Sequence, residues 1–294
     1  MKHHPVLSVI TATYNRKHTL NAVYEGLLDQ TFVDFEWIIV DDGSNDGTSE
    51  LVAEWKSSFP IVYKYQENSG RPSAINIGFT YAKGLYHVLL DSDDVPVPEA
   101  MAVFVEELEK TPDDVWAVGA LTMTVSGQII GSELDKPIKE MTMLDAYSHY
   151  GMMGDKWLAY KAEVMGKFLF PKYDSEKFSP ESIVFNRISR CGYKTRFINR
   201  PLLKHPYLPD GLSCNILKLK ESNPIGFIVF HSENILEHDL TVSPYYLKSA
   251  ANIYVTLLLA SKRPFIAVML LILALPIGIV KGLLDKSKLK LPSK

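Results

Sequence analysis

Residues 6–16 of the chain read VLSVITATYNR, an apolar and β-branched run that ends in a polar cluster. The same change of composition occurs at residues 35–44, which read FEWIIVDDGS, and at residues 85–94, which read LYHVLLDSDD. Short continuous apolar runs are typical of strands that are buried on both faces of a sheet. The three stretches therefore predict three such strands, and their polar ends mark the edge where ligands bind in open α/β sheets.

The residues between these runs have helical spacing. Residues 19–30 place apolar side chains three and four positions apart, residues 73–83 and 98–110 read as further helices, and residues 61–65 read as another strand. Strands that alternate with helices in this way predict a doubly wound, parallel arrangement. We therefore assign the chain to the α/β class, with a parallel sheet that is flanked by helices.

The composition of the 294 residues excludes several classes of protein. Apolar residues make up 47%, charged residues make up 22% and the net charge is −3, so we expect no nucleic acid as a partner. Cys191 and Cys214 have neither metal-ligand spacing nor the density of a disulfide framework, which favours a reducing compartment. The apolar run after Pro5 is too short for a signal peptide, so we expect a cytoplasmic protein.

Asp91, Asp93 and Asp94 follow a predicted strand and carry the strongest chemical signal. Residues i and i+2 of an extended backbone point the same way, so Asp91 and Asp93 can face one site. Two close carboxylates repel each other unless a cation lies between them, and Mg²⁺ or Mn²⁺ prefers such oxygen ligands together with substrate phosphates. The alternative is an acidic turn that caps the next helix.

Three other polar residues follow a predicted strand or begin a helix. Tyr14 could stack on a nucleobase, and Asp42 could accept a hydrogen bond from a base or a ribose. Arg71, directly before Pro72 at the start of a helix, could reach a phosphate. Each has a structural alternative: Tyr14 as a rim side chain, Asp42 as a turn residue and Arg71 as a solvated cation.

The three quoted stretches, together with the Gln30-Thr31-Phe32 turn, closely resemble the family-2 glycosyltransferases over about residues 5–105. That family consists of inverting enzymes with the GT-A fold, so the resemblance implies an α/β, Rossmann-like mixed, mainly parallel sheet that is flanked by helices. The resemblance implies that Asp93, with Asp94 as a second ligand, holds Mn²⁺ or Mg²⁺. It also implies a nucleotide-sugar site that is formed by Ala12, Tyr14, Arg16, Asp42, Arg71 and Asp91. Ala12 replaces a proline that is common in the family.

Inversion requires a carboxylate that removes the proton of the acceptor hydroxyl. Glu181 begins a predicted helix and precedes Arg187 by six residues, as the second member of an acidic pair does in many relatives. Pro180 stands where those relatives have the first acid. The resemblance therefore points to Glu181 as the catalytic base, and the acids that are left as alternatives are Asp155, Asp174 and Glu176.

These features together predict a hexosyltransferase-type enzyme that moves a sugar from a nucleoside-diphosphate donor, UDP-linked by family expectation, to a saccharide or lipid-linked acceptor. Residues 176–181 and 207–213 are similar to a bacterial subgroup associated with capsule, exopolysaccharide or lipopolysaccharide assembly. We expect a transferase domain at residues 1–222, with its donor half at 1–105 and its acceptor half at 106–222. A sugar-nucleotide pyrophosphorylase and a non-catalytic membrane-associated scaffold are the alternative functions.

Residues 223–294 are predicted to form a helical extension that contains an apolar segment. Residues 264–280 carry no charge, fall short of the roughly 20 residues that a comfortable membrane crossing needs, and have lysine or arginine on both sides. We expect this segment to lie on the inner face of the cell membrane as a peripheral or monotopic anchor. A true span and burial in a core or a homo-oligomer interface are the alternatives.

Overall fold

The computed structural model describes residues 4–206, 208, 211, 215–236 and 244–261. The chain forms two compact units: the first comprises Met1–Lys172 and Val184–Pro209, and the second comprises Tyr173–Ile183 and Asp210–Lys294. The first unit contains the sheet. The described part of the second unit contains a loop and three further helices.

Among the described residues, ten strands form one sheet. Their bounds are β1 Leu7–Thr13, β2 Phe35–Asp41, β3 Ile61–Tyr65, β4 Tyr86–Leu89, β5 Val95–Pro96, β6 Val115–Thr124, β7 Ile129–Ile130, β8 Ile138–Met141, β9 Trp157–Lys161 and β10 Lys194–His205. Strands β3, β2, β1 and β4 lie side by side in that order and run parallel. This order confirms the strands predicted from the three quoted stretches and brings the polar residues after β1, β2 and β4 to one edge.

The other half of the sheet is mixed. Strand β9 lies between β4 and β6 and runs antiparallel to both, whereas β6 and β10 are parallel. Strand β10 also pairs antiparallel with β5 and β8, and β7 pairs with β6. Because β9 is reversed, its first residue, Trp157, lies beside the end of β4 and donates a hydrogen bond to the Leu89 carbonyl oxygen at 2.7 Å.

Helices cover both faces of this sheet. They are α1 Lys17–Leu28, α2 Thr48–Glu54, α3 Arg71–Tyr81, α4 Ala100–Glu109, α5 Met143–Ser148, α6 Ala162–Met165 and α7 Ser182–Arg190. Alternate residues of a strand point to opposite faces, so Trp37 packs with the apolar side chains of α1 and α4, whereas Ile38 packs with Ala74 of α3. Apolar residues of α5, α6 and α7 form another cluster with Trp116 and Tyr160. Packing on both faces therefore fixes the strands whose ends carry the polar clusters.

The second unit continues with α8 Ile216–Ser222, α9 Pro224–Leu236 and α10 Pro244–Ser261. Lys220 of α8 is buried and donates a hydrogen bond from Nζ to Asn252 Oδ1 of α10 at 2.6 Å. Within the described part of the chain, we find no helix with the length and apolar character of a membrane span. The uncharged segment 264–280 lies outside the described residues, so its attachment to a membrane stays a prediction.

Candidate active site

The loops after β1 and β2 are joined to each other. The Asn15 amide donates a hydrogen bond to Ser44 Oγ at 2.8 Å, and Asn15 Oδ1 accepts one from the Asn45 amide at 2.9 Å. Asn15 has a φ of 52°, a left-handed conformation that asparagine tolerates better than most residues. These contacts fix the neighbouring Tyr14, whose side chain is 48% exposed, as an aromatic surface at this edge of the sheet.

The Asp42 carboxylate holds the loop that precedes α3. Its Oδ1 accepts hydrogen bonds from the Ser69 amide at 2.8 Å and from Gln66 Nε2 at 2.5 Å, and its Oδ2 accepts one from the Gly70 amide at 2.9 Å. A carboxylate has about four lone-pair positions, and three are used here. Asp42 therefore fixes Gly70 and, with it, the position of Arg71, which follows Gly70 in the chain. One acceptor position of the carboxylate is left for another donor.

Arg71, the first residue of α3, reaches the acidic cluster that follows β4. Its Nη2 lies 2.6 Å from Asp91 Oδ1, and the two side chains are 22% and 49% exposed. Burial raises the pKa of Asp91, but the charge and the hydrogen bond of Arg71, together with the charges of His205 and Arg16, outweigh that effect and hold the pKa below its ordinary value. Asp91 is therefore ionised at neutral pH. The structure joins two residues that the sequence assigned to the same site.

Asp91, Asp93 and Asp94 each place one carboxylate oxygen within 4.8 Å of the others. Burial and then the negative charge of Asp91 raise the pKa of Asp93. Burial also raises the pKa of Asp94 to about 6, although a hydrogen bond from His205 opposes the shift. A divalent cation would relieve this crowding of negative charge, and oxygen ligands of this kind are the ones that Mg²⁺ and Mn²⁺ prefer. The cluster therefore fits a divalent metal.

His205 is a neighbour of the acidic cluster that the sequence did not reveal. Its Nδ1 lies 2.5 Å from Asp94 Oδ1. Burial lowers the pKa of His205, but the hydrogen bond and charge of Asp94 outweigh burial and raise it overall. The contact arises because the end of β10 pairs with the short strand β5, which directly follows Asp94. The sequence gives no signal for this contact, because His205 and Asp94 are 111 residues apart in the chain.

The four acids considered as the catalytic base lie in different surroundings. Asp155 is exposed and belongs to the first unit. The other three belong to the second unit, where Asp174 is exposed and Glu181 is partly buried directly before α7. Both carboxylate oxygens of Glu176 accept hydrogen bonds from backbone amides at the start of α9, at 2.5 Å and 2.9 Å. Glu176 is therefore already engaged as a helix cap.

The model of the family described as Glycosyl transferase family 2 matches residues 8–165. The chain belongs to glycosyl transferase family 2. This membership confirms the family that the quoted stretches resembled. The matched residues of this family-2 glycosyltransferase include Asp42, Arg71 and the whole acidic cluster, but neither Glu181 nor His205.

Curated relatives are similar to this glycosyltransferase over part of its length. The Escherichia coli UDP-Glc:alpha-D-GlcNAc-diphosphoundecaprenol beta-1,3-glucosyltransferase WfaP is 40% identical over 89 residues, which cover 30% of this chain and 36% of WfaP. An alignment with another relative reaches 53% of that relative's length. The chain thus spans about a third to a half of these two relatives.

Solved structures show the same fold at low sequence identity. The crystal structure of S. aureus TarS 1–349 in complex with UDP-GlcNAc superposes with a TM-score of 0.59 and 18% identity, over 86% of this chain and 72% of that one. The mannosyltransferase PcManGT from Pyrobaculum calidifontis, in complex with GDP-Man and Mn²⁺, superposes with a TM-score of 0.58 and 17% identity, over 94% and 81%. These likenesses confirm the predicted GT-A fold.

Proposed function

We propose that the chain transfers a sugar from a UDP-sugar to a saccharide or lipid-linked acceptor during synthesis of a bacterial surface polysaccharide. The arrangement of Asp42, Arg71 and the acidic cluster at one edge of the sheet carries this proposal. The name of WfaP includes UDP-Glc and a diphosphoundecaprenol-linked acceptor, and the TarS structure contains UDP-GlcNAc. Both support a UDP-sugar as the donor class.

The nucleotide sugar is proposed to bind across the ends of β1, β2 and β4. The exposed ring of Tyr14 offers a stacking surface for a base, and the remaining acceptor position of Asp42 suits an N–H of that base. The Arg71 guanidinium suits a diphosphate, and Asp91 beside it can accept hydrogen bonds from ribose hydroxyls. The residues assigned to the nucleotide sugar are Ala12, Tyr14, Arg16, Asp42, Arg71 and Asp91.

Asp93 and Asp94 are the proposed ligands of Mn²⁺ or Mg²⁺. Burial and then the neighbouring negative charges raise their pKa values, and a cation would stabilise the ionised carboxylates. When bound, the cation supplies positive charge to the diphosphate leaving group. His205 restricts Asp94 to one orientation through the hydrogen bond between them. The PcManGT structure contains Mn²⁺, which supports Mn²⁺ as the first ion to test.

Glu181 is the proposed catalytic base. It takes the proton of the acceptor hydroxyl as the hydroxyl oxygen forms its bond to the anomeric carbon of the donor sugar. The bond from that carbon to the diphosphate oxygen breaks, its electron pair leaves with the nucleoside diphosphate, and the anomeric configuration inverts. Glu176 is disfavoured as the base because both its oxygens already accept backbone hydrogen bonds.

A screen of nucleotide sugars with the full chain tests the proposed function. UDP-glucose, UDP-GlcNAc and GDP-mannose are each added with Mn²⁺, Mg²⁺ or EDTA, and the melting temperature and the release of nucleoside diphosphate are measured. We expect a UDP-sugar to raise the melting temperature and to be hydrolysed slowly with Mn²⁺, and EDTA to remove both effects. A response to GDP-mannose alone would contradict the UDP assignment, and no response to any donor would contradict the function.

A further inference from the structure

The loop that leads to Glu181 is attached to the helices that follow residue 215. Both oxygens of Glu176 accept hydrogen bonds at the start of α9, from the Ile225 amide at 2.5 Å and from the Gly226 amide at 2.9 Å. The first amides of a helix have no partner within the helix, so a carboxylate at this position is stabilised by two hydrogen bonds and by the helix dipole. Glu176 and α9 therefore hold each other in place.

Asn223 provides a second attachment, on the same stretch of loop. Its Oδ1 accepts hydrogen bonds from the Lys177 amide at 2.8 Å and the Phe178 amide at 3.0 Å, while its Nδ2 donates to the Leu219 carbonyl oxygen at 2.9 Å. Only 5% of Asn223 is exposed. Loss of this side chain would leave two backbone amides without their partner in a partly buried setting, which is unfavourable.

Close backbone contact completes the attachment. A Cβ atom added to Gly226 would lie 3.1 Å from the Phe178 carbonyl oxygen and 3.1 Å from Ser179 Cα, which is tighter than ordinary van der Waals contact, so the absence of a side chain helps α9 to approach the loop this closely. The Phe178 and Phe227 rings stack with their centroids 5.6 Å apart. The contacts thus cover the chain from Glu176 to Ser179, which is two residues before Glu181.

The remaining step to Glu181 is short and ordered. The Ile183 amide donates a hydrogen bond to the Pro180 carbonyl oxygen at 3.2 Å, which closes a turn around Glu181 at the entry to α7. A shift of Ser179 would therefore be passed to the Glu181 carboxylate. Misplacement of a reacting group by about 1 Å is enough to reduce catalysis by about 100-fold.

We infer that Glu176, Asn223 and Gly226 are positioning residues, which set the place of the catalytic base through the loop between them and Glu181. Helices α8 and α9 are then part of the catalytic apparatus and not only a connection to the C-terminal segment. This assignment depends on the proposed role of Glu181 as the base.

A double-mutant cycle between Asn223 and Glu181 tests the assignment in the full chain. The rate of UDP release from UDP-glucose and UDP-GlcNAc with Mn²⁺ is measured for Asn223→Ala, Glu181→Gln and the double variant, with UDP affinity and melting temperature recorded for each. We expect Asn223→Ala to lower the rate by about 10- to 100-fold with unchanged UDP affinity. The double variant should be no slower than Glu181→Gln alone, because Asn223 acts through Glu181.

Two more variants separate positioning from general destabilisation. Asn223→Asp keeps an acceptor oxygen for the two amides and should recover most of the rate. Asn199→Ala is the matched control, because Asn199 Oδ1 accepts a hydrogen bond from the Leu134 amide at 2.8 Å and its Nδ2 donates to the Leu134 carbonyl oxygen at 2.9 Å in the first unit. We expect Asn199→Ala to lower the melting temperature without the loss of rate.

The outcomes distinguish the assignment from the function on which it depends. A wild-type rate in Asn223→Ala, an equal loss in Asn199→Ala, or a double variant slower than Glu181→Gln by the full factor would each overturn the positioning role. A wild-type rate in Glu181→Gln would instead remove Glu181 as the base, and the positioning role would be lost with it.

Discussion

The donor-side edge of the sheet and the loop of residues 173–181 are built in different ways. At the edge, the loops after neighbouring strands bond to each other, as the Asn15 amide does to Ser44 Oγ, and Arg71 at the start of α3 pairs with Asp91 after β4. The loop is not part of the sheet. It is held by hydrogen bonds to later residues, from the Ile225 amide to Glu176 and from the Lys177 amide to Asn223. Donor-side residues are therefore placed by the sheet, whereas the proposed base is placed by α8 and α9.

Replacing the proposed base gives the largest effect that separates the two regions. Glu181→Gln should lower the rate of sugar transfer or donor hydrolysis by about 100- to 10,000-fold, the usual contribution of a general base. The affinity for UDP, measured by calorimetry, should not change, because the proposed nucleotide residues lie at the sheet edge. Glu163→Gln, which changes an exposed acid of α6, is the matched control and should keep the wild-type rate. If Glu181→Gln lowered the UDP affinity as much as the rate, the loop and the sheet edge would not have separate roles.

Replacing Arg71 should give a smaller effect, which falls on the affinity for UDP. Arg71→Lys keeps the positive charge but loses the planar fork of donors that a diphosphate and Asp91 can share. We expect UDP affinity to fall by about tenfold, which corresponds to about 1.4 kcal/mol. Arg200→Lys is the control, since Arg200 forms only a loose, half-exposed pair with Glu99 at 3.7 Å. Equal UDP affinity for Arg71→Lys and the wild type would exclude Arg71 from the nucleotide site.

The sequence predicted the residues whose positions depend on local spacing, and it missed those whose positions depend on long-range strand pairing. Asp91 and Asp93 were predicted to share a site because they are two positions apart at the end of an apolar strand, and the structure confirms their proximity. His205 was missed because its approach to Asp94, 111 residues away, depends on pairing between β10 and a two-residue strand. The reversed direction of β9 was also missed, since a short apolar run does not state which way it runs in a sheet.

The loop was harder to predict than the edge for a similar reason. The role of Glu176 as a cap depends on the Ile225 amide in the first turn of α9, 49 residues later. The sequence does carry one signal, because Asn223-Pro224 has the composition of a helix start, with proline at the first helical position. That signal locates the start of the helix, but it does not indicate which carboxylate accepts hydrogen bonds from the first backbone amides of the helix.

His87 tests the scaffold of the donor side apart from its chemistry. His87 is buried on β4, stacks on Phe79, and has no hydrogen-bond partner for either ring nitrogen among the described residues. Burial lowers its pKa to about 4. Because the folded pKa lies below the ordinary value of about 6.5, the neutral ring favours folding above pH 6.5. That contribution is lost as the pH falls from 6.5 towards 4.

His87→Phe should remove this loss. Between pH 7 and pH 4.5 the free energy of unfolding of the wild type should fall by about 2 to 3 kcal/mol more than that of the variant, since each pKa unit corresponds to about 1.4 kcal/mol. Chemical denaturation at several pH values measures the difference, and His149→Gln, at a histidine that is 61% exposed, is the control. Parallel pH curves for the wild type and His87→Phe would show that His87 is not the titrating group.

The binding of UDP with and without Mn²⁺ tests the central claim that the acidic edge is a metal-assisted nucleotide site. Isothermal titration of the wild type should give an affinity at least about tenfold higher with Mn²⁺ than with EDTA. Asp93→Asn should remove this gain, whereas Asp113→Asn, at an exposed acid outside the cluster, should retain it. An equal affinity with and without Mn²⁺ in the wild type, or an undiminished gain in Asp93→Asn, would contradict the claim.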